Sequence, residues 1–195
     1  MIYPFFKRLM DIVLSLIALI ILSPVLLVIA ILVRATSEGP ALFRQARSGR
    51  DLVEFEIYKF RTMYTSAPKD MPTHMLEGAQ SHITPVGAFL RRTSLDELPQ
   101  LVNILKGDMS IVGPRPPLPT QYDLIEARAK VGANALRPGL TGWAQINGRD
   151  ELPIEVKAGY DGEYVKNFGF MFDMKWIFGT VAAVLGARGV REGKK

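Results

Sequence analysis

The sequence predicts an α/β fold that is mostly helical and has a membrane element at its N-terminus. Three patterns indicate it: an uncharged apolar run over residues 12–33, two alternating stretches around a turn at 48–51, and helical spacing of apolar residues further along. A chain of 195 residues is long enough for one compact domain beside a membrane element. We therefore predict a membrane hairpin over residues 1–36 and a compact domain over residues 37–195.

The apolar run is long enough, as a helix, to span the core of a membrane. Its 22 residues carry no charge, and at about 1.5 Å per residue they form a helix about 33 Å long, against a bilayer core of about 30 Å. Ser23 and Pro24 lie at its centre. Pro24 has no N–H, and its ring clashes with the carbonyl of Ile20, so we expect a break there, with the Ser23 hydroxyl donating to a freed carbonyl.

Basic residues flank the run on both sides. They are Lys7 and Arg8 before it, and Arg34, Arg44, Arg47 and Arg50 after it. Because positive residues favour the cytoplasmic side, a re-entrant helix-break-helix is the arrangement that keeps both flanks there. We predict that arrangement. A kinked single span and a buried core helix are the alternatives.

The next segment predicts a small β-hairpin. Residues 41–47 and 53–60 alternate in character on either side of the turn-rich stretch SGRD. Val53, Phe55 and Ile57 share one face of the second strand, and Lys59 continues it. A lysine on an apolar face either extends to water or meets an anion such as a phosphate.

Helices are predicted in most of the remaining chain. Residues 64–85 form a long loop, either a lid or a specificity element. The last apolar segment fits a core helix or an amphipathic helix at an anionic membrane interface. The predicted helical segments are residues 85–92, 98–108, 122–133, 152–167 and 170–187.

Composition limits the chemistry. Lys and Arg outnumber Asp and Glu by 24 to 19, a formal net charge of +5, which favours anionic partners: phosphorylated metabolites, acidic lipid or nucleic acid. The chain has no cysteine, so it has no disulfide and no thiolate metal site. His74 and His82 lie in one polar stretch without a spaced cluster. A bound metal is therefore expected to be a hard, oxygen-bound ion.

The stretch RRTSLDELPQL, residues 91–101, offers two interpretations. Ser94 and Glu97 match a capping box, but a helix starting at Ser94 would need an N–H from Pro99. We therefore predict a helix that starts near Asp96, with Asp96 as its cap. Asp96 is then either a cap alone, or, at a helix start that attracts phosphate, an ionised nucleophile or a Mg²⁺ ligand.

Two later segments could bind anions. Arg115 lies between prolines on a stiff segment, which would suit bidentate phosphate binding by its guanidinium. The alternatives are a solvated loop and a PxxP ligand for an SH3-type partner. Residues 136–150 are rich in glycine, which indicates either a turn-rich loop or a close approach to a ligand, and Trp143 there either stacks on a base or packs. The chain contains no Walker or GxGxxG fingerprint, so a standard nucleotide-binding fold is not predicted.

Taken in order, these motifs closely resemble the bacterial sugar transferase family, the monotopic phosphoglycosyl transferases of glycoconjugate assembly. The resemblance covers nearly the whole chain and is most specific over residues 96–116. It makes residues 37–195 the catalytic domain, surrounded by amphipathic interfacial helices. The chain looks like the minimal catalytic unit, without the extra N-terminal membrane domain of larger members.

The resemblance implies a reaction and a location. A sugar-1-phosphate is expected to move from a UDP-sugar to undecaprenyl phosphate, a polyprenyl phosphate, giving polyprenyl-diphosphate-sugar and UMP with Mg²⁺. This is the first membrane step in assembly of O-antigen, capsule, exopolysaccharide or glycoprotein. The expected location is the cytoplasmic face of the bacterial inner membrane, in contact with phospholipids. Nucleic acid is not an expected partner, and a homo-oligomer is left open.

The resemblance also implies residue roles. Its catalytic Asp-Glu dyad falls on Asp96 and Glu97. Asp96 would attack the β-phosphate, form an aspartyl-phosphosugar and help to hold Mg²⁺. Two rival hypotheses stay open: direct transfer in which the dyad only binds Mg²⁺, and a membrane-docked scaffold that uses PRPPLP. The positions expected to bind substrate are Lys59, Arg91, Arg115, Arg149 and Asp173.

Overall fold

The computed structural model describes residues 2–68, 78–148 and 152–185. Most elements are helices, and the strands form two separate two-stranded sheets, as the predicted α/β, mostly helical class requires. In chain order the elements are α1 (Tyr3–Thr36), β1 (Leu42–Ser48), β2 (Glu54–Phe60), α2 (Pro85–Thr93), α3 (Gln100–Lys106), β3 (Ser110–Val112), α4 (Tyr122–Lys130), β4 (Gly139–Thr141), α5 (Trp143–Ile146), α6 (Ile154–Lys166) and α7 (Phe170–Leu185).

Helix α1 is the one helix in the described part of the chain that is long and apolar enough, by length and composition, to cross a membrane. It continues through Pro24 as a single element, so the predicted break into two helices is not present. The hydroxyl of Ser23 donates to the carbonyl of Ile20 at 2.8 Å, as predicted. That hydroxyl replaces the N–H that Pro24 lacks, which explains why the helix can continue past the proline.

The N-terminal half of α1 docks on the rest of the chain through polar residues. Lys7, Asp11 and Ser15 recur every four residues and are buried, so they form one face of the helix. The carboxylate of Asp11 accepts the backbone N–H of Ile111 at 3.0 Å. Arg8 donates to two carbonyls at the end of α3, at 2.6 and 2.9 Å. These contacts fix the start of α1 against α3 and β3.

The C-terminal half of α1 docks through apolar residues instead. Ile29 and Val33 are buried and form a cluster with Phe60 of β2 and Leu90 of α2. The guanidinium of Arg61 donates to carbonyls at and just beyond the end of α1, including that of Ser37 at 2.9 Å. The buried core helix that was an alternative is excluded, because most large apolar side chains of α1 are exposed. Both ends of the helix nevertheless contact the same compact domain.

The predicted β-hairpin is confirmed. Strands β1 and β2 are antiparallel, with Leu42 opposite Phe60 at one end and Ser48 opposite Glu54 at the other. The connecting turn places two non-glycine residues, Asp51 and Leu52, in the left-handed region at φ of 54° and 62°. The hairpin presents Lys59, near the end of β2, toward the motif that contains Asp96.

The glycine-rich segment forms a strand that sequence analysis did not predict. Strand β4 pairs in parallel with β3, and the register places Ser110 opposite Gly139. A Cβ on Gly139 would lie 2.1 Å from the backbone nitrogen of Gly113, and one on Gly142 would lie 2.4 Å from the Gly113 carbonyl oxygen. Gly139 and Gly142 therefore allow one backbone segment to approach another.

Helix α7 combines the two alternatives predicted for its segment. Trp176 is buried in the core, and its ring centroid lies 3.9 Å from that of Trp143, so Trp143 packs. The opposite side of the helix is apolar and exposed: Met171, Phe178 and Val181 have 78%, 70% and 52% of their surface accessible. An exposed apolar face on a helix that is otherwise anchored in the core is typical of contact with a membrane interface.

Candidate active site

The motif around Asp96 folds differently from its prediction. Helix α2 ends at Thr93, and the C-cap residue that follows it, Ser94, adopts a left-handed conformation at φ 57°. Asp96 lies in a single 3₁₀ turn, Leu95–Glu97, and α3 begins only after Pro99. The predicted helix start with Asp96 as cap is therefore wrong. The segment closes through i→i+3 bonds instead: the N–H of Leu98 donates to the Leu95 carbonyl at 3.3 Å and that of Leu101 donates to the Leu98 carbonyl at 3.1 Å, so Asp96 lies inside a 3₁₀ turn and caps no helix.

Two cations meet at the second carboxylate of the pair. Lys59 Nζ lies 2.8 Å from Oε1 of Glu97, and Nη1 of Arg115 lies 3.3 Å from the same atom. The three side chains are largely shielded, with 16%, 17% and 26% of the Lys59, Glu97 and Arg115 side chains accessible. They come from β2, the 3₁₀ turn and the proline-rich segment. Lys59 therefore points into this cluster instead of extending to open solvent.

The first carboxylate of the pair has a perturbed pKa. Burial and, after it, the charge of Glu97 raise the pKa of Asp96, while Lys59, Arg91 and Arg115 lower it; the net result is a pKa of about 6. A carboxyl group with this pKa is mostly ionised at pH 7. The cations that oppose the shift are three of the predicted substrate-binding residues, so the fold brings them together around Asp96.

The structure places one predicted site residue, Asp173, outside this cluster. Asp173 has none of its surface exposed, and its carboxylate accepts hydrogen bonds from Lys7 at 2.6 Å, from Tyr164 at 2.6 Å and from Tyr3. It joins α7 to the start of α1, so its role in the structure is as an anchor, not as a substrate ligand. Arg149 lies outside the described residues.

The proline-rich segment is built into the fold. Pro116 and Pro117 are buried, which contradicts their use as a PxxP ligand. Each of four consecutive carbonyls accepts a hydrogen bond from another segment. The donor–acceptor pairs are Gly139 N to Pro114 O at 2.8 Å, Arg128 Nη1 to Arg115 O at 2.8 Å, Arg47 Nη1 to Pro116 O at 3.2 Å, and Ser48 N to Pro117 O at 3.0 Å. The stiffness predicted for Arg115 is therefore reinforced from outside.

Sequence reasoning missed Arg128, which is 3% exposed and ion-paired with Asp161 at 2.7 Å. An arginine in a weakly amphipathic helix ordinarily marks a solvated face, so its own segment gave no signal. A proline-rich run has few N–H groups of its own, so its carbonyls need donors from elsewhere in the chain. That need was the one indication in the sequence that a buried donor such as Arg128 would be required.

The carboxylates fit a hard divalent cation. Carboxylate oxygens are ligands of Mg²⁺, which commonly takes one or two of them and completes its octahedron with phosphate oxygens and water. Across residues 2–68, 78–148 and 152–185, no group of three or more His, Cys, Asp or Glu side chains could hold a metal. Because Oε1 of Glu97 already contacts two cations, Asp96 is the residue that would hold Mg²⁺.

The site and fold together define a class of protein. A carboxylate pair ringed by cations, on a domain with a long apolar helix, is suited to phosphorylated substrates at a membrane. The model of the bacterial sugar transferase family matches residues 2–187, and the chain belongs to that family. This confirms the resemblance found in the sequence.

Several curated proteins are similar. The chain is 45% identical over 187 residues to a UDP-glucose:undecaprenyl-phosphate glucose-1-phosphate transferase of Escherichia coli (strain K12), covering 90% of this chain and 39% of that protein. It is 37% identical over 195 residues to a UDP-N-acetylgalactosamine-undecaprenyl-phosphate N-acetylgalactosaminephosphotransferase of Aeromonas hydrophila, covering 97% and 46%. It is 40% identical over 195 residues to the exopolysaccharide production protein PSS of Rhizobium leguminosarum bv. phaseoli, covering 92% and 94%. The chain thus spans less than half the length of the first two relatives.

The pKa of Asp96 can be tested by charge removal at its neighbours. Glu97→Gln removes the charge that raises this pKa, so we expect the Asp96 carboxyl to titrate below pH 6. Lys59→Met removes a charge that lowers it, so we expect titration above pH 6. Infrared difference spectra against Asp96→Asn, recorded over a pH series, report the protonated carboxyl. Equal titration midpoints of the Asp96 carboxyl in the unsubstituted protein, Glu97→Gln and Lys59→Met would contradict this electrostatic account.

Proposed function

We propose that the chain is a phosphoglycosyl transferase, which moves a sugar-1-phosphate from a UDP-sugar to a polyprenyl phosphate. The observation that carries the proposal is the Asp96 carboxyl with its near-neutral pKa, beside a second carboxylate that two cations hold in place. Family membership and the names of the relatives support the substrate classes.

In the first half-reaction an oxygen of the Asp96 carboxylate attacks the β-phosphorus of the UDP-sugar, the phosphorus that bears the sugar. A P–O bond to Asp96 forms while the bond from this phosphorus to the bridging oxygen breaks. The bridging oxygen leaves with UMP, and Asp96 keeps the phosphosugar. Approach of an anion to a diphosphate requires nearby positive charge, which Lys59, Arg91 and Arg115 supply.

In the second half-reaction an oxygen of the polyprenyl phosphate attacks the phosphorus of the aspartyl-phosphosugar. The P–O bond to Asp96 breaks, which restores the carboxylate and yields the polyprenyl-diphosphate-sugar. The attacking group is already an oxyanion, so this step requires no general base. Mg²⁺ held by Asp96 would supply further charge neutralisation on the diphosphate.

We also propose that α1, although it continues through Pro24 as one helix, bends there and is re-entrant, so that both its ends lie on the cytoplasmic side. A straight helix of 34 residues is about 51 Å long, and a span would separate its ends by a bilayer core of about 30 Å. Here Arg8 contacts α3, while Val33 packs beside β2, and both belong to the same domain. That double docking supports entry and exit on one face.

The covalent half-reaction is tested by intact-protein mass spectrometry. Incubation with UDP-glucose or UDP-N-acetylgalactosamine alone, followed by acid quenching, is expected to add the mass of one sugar phosphate. Asp96→Asn should show no adduct, because the amide is a far weaker nucleophile. Arg44→Gln, which removes an exposed charge on β1, is the matched control and should keep the adduct. Turnover with lipid acceptor but no adduct in any sample would favour direct transfer.

The topology is tested by single cysteines, since the chain has none of its own. We expect Ile2→Cys and Glu38→Cys, which flank α1 at exposed positions, to resist a membrane-impermeant maleimide in intact spheroplasts. Both should label after lysis. Labelling of either position from outside the cell would exclude the re-entrant arrangement.

A further inference from the structure

The Arg115 carbonyl is held by a buried side chain. Arg115 lies between Pro114 and Pro116, which fix their own φ angles and lack N–H groups, so the segment cannot pair with itself as a strand or helix does. Its carbonyl accepts a hydrogen bond from Nη1 of Arg128 at 2.8 Å. The position of the Arg115 backbone therefore depends on a residue of α4.

Arg128 is itself fixed in direction. Its Nε donates to Oδ2 of Asp161 in α6 at 2.7 Å, and the two side chains are 3% and 5% accessible. Burial raises the pKa of Asp161, and the charge and hydrogen bond of Arg128 oppose that shift. One guanidinium thus bridges a carboxylate on α6 and a carbonyl of the proline-rich segment.

Stability alone does not explain this pair. Replacing a buried ion pair with well-packed apolar residues is often neutral or stabilising, because desolvation offsets the Coulomb attraction. What such residues cannot provide is a donor for the Arg115 carbonyl. A guanidinium presents N–H groups in two fixed directions at once, whereas a lysine presents a single point of charge.

We propose that Arg128, oriented by Asp161, is a positioning residue for Arg115. The route is short: Arg128 fixes the Arg115 backbone, the Arg115 guanidinium contacts Glu97, and its charge acts on Asp96. Arg128 and Asp161 do not touch substrate in this scheme. The proposal rests on the proposed transferase function, because it assigns the pair a role in arranging that site.

A double-mutant cycle tests the proposal on the full-length protein. UMP release would be measured with undecaprenyl phosphate and either UDP-glucose or UDP-N-acetylgalactosamine. We expect Arg128→Lys to lower kcat/KM by about 10- to 100-fold, the scale of a misplacement of about 1 Å. In an Arg115→Gln background the same change should cost less than about 3-fold, because no guanidinium is left at position 115 for Arg128 to position. Lys130→Met, an exposed position on the same helix, should have no effect.

A second readout separates positioning from general damage. A displaced Arg115 guanidinium should lower kcat per folded molecule, with the folded fraction taken from circular dichroism, in Arg128→Lys and in Asp161→Asn. Partial unfolding would reduce the amount of folded protein and leave kcat per folded molecule unchanged. An unchanged kcat per folded molecule, or equal losses from Arg128→Lys in both backgrounds, would overturn the positioning role. Full UMP release by Asp96→Asn would instead overturn the transferase mechanism itself.

Discussion

One carboxylate oxygen, Oε1 of Glu97, contacts both Lys59 and Arg115, and the geometry of the site follows from that shared contact. It ties β2, the 3₁₀ turn and the proline-rich segment together at one point. Two adjacent acids would otherwise repel each other in a shielded site. With Glu97 engaged by cations, Asp96 keeps a pKa low enough to be ionised at neutral pH. The pair is therefore asymmetric: Glu97 contacts the cations, and under the proposed function Asp96 is left for chemistry.

The site is also linked directly to the membrane helix. Lys59 is followed by Phe60, and Arg91 is preceded by Leu90; these two apolar neighbours pack against the C-terminal half of α1. Two of the cations around Asp96 thus come from positions next to α1 contacts. A polyprenyl phosphate keeps its head at the membrane surface, so a site for it must lie at that depth. Under the proposed function, the packing of β2 and α2 on α1 would place the site at that depth.

The sequence predicted the parts whose signal is local. The hairpin, the main helices and the role of Ser23 follow from periodicity and from proline chemistry. The family resemblance pointed to Asp96, Glu97 and Lys59, which the fold brings close together. What the sequence did not predict depends on tertiary contacts. Strands β3 and β4 have three residues each and pair across a long connection, so neither has a strand pattern of its own. The burial of Asp173 and Arg128 depends on partners in distant helices, which no spacing rule encodes.

The central claim is that the phosphosugar is transferred through Asp96 before the lipid phosphate arrives. Isotope exchange tests this most directly: radiolabelled UMP is added to the protein with unlabelled UDP-glucose or UDP-N-acetylgalactosamine, and no polyprenyl phosphate is present. A covalent intermediate predicts that label appears in the UDP-sugar, because the first half-reaction runs in reverse, and that Asp96→Asn abolishes the exchange. Exchange that requires polyprenyl phosphate, in a protein that turns over with it, would contradict the account.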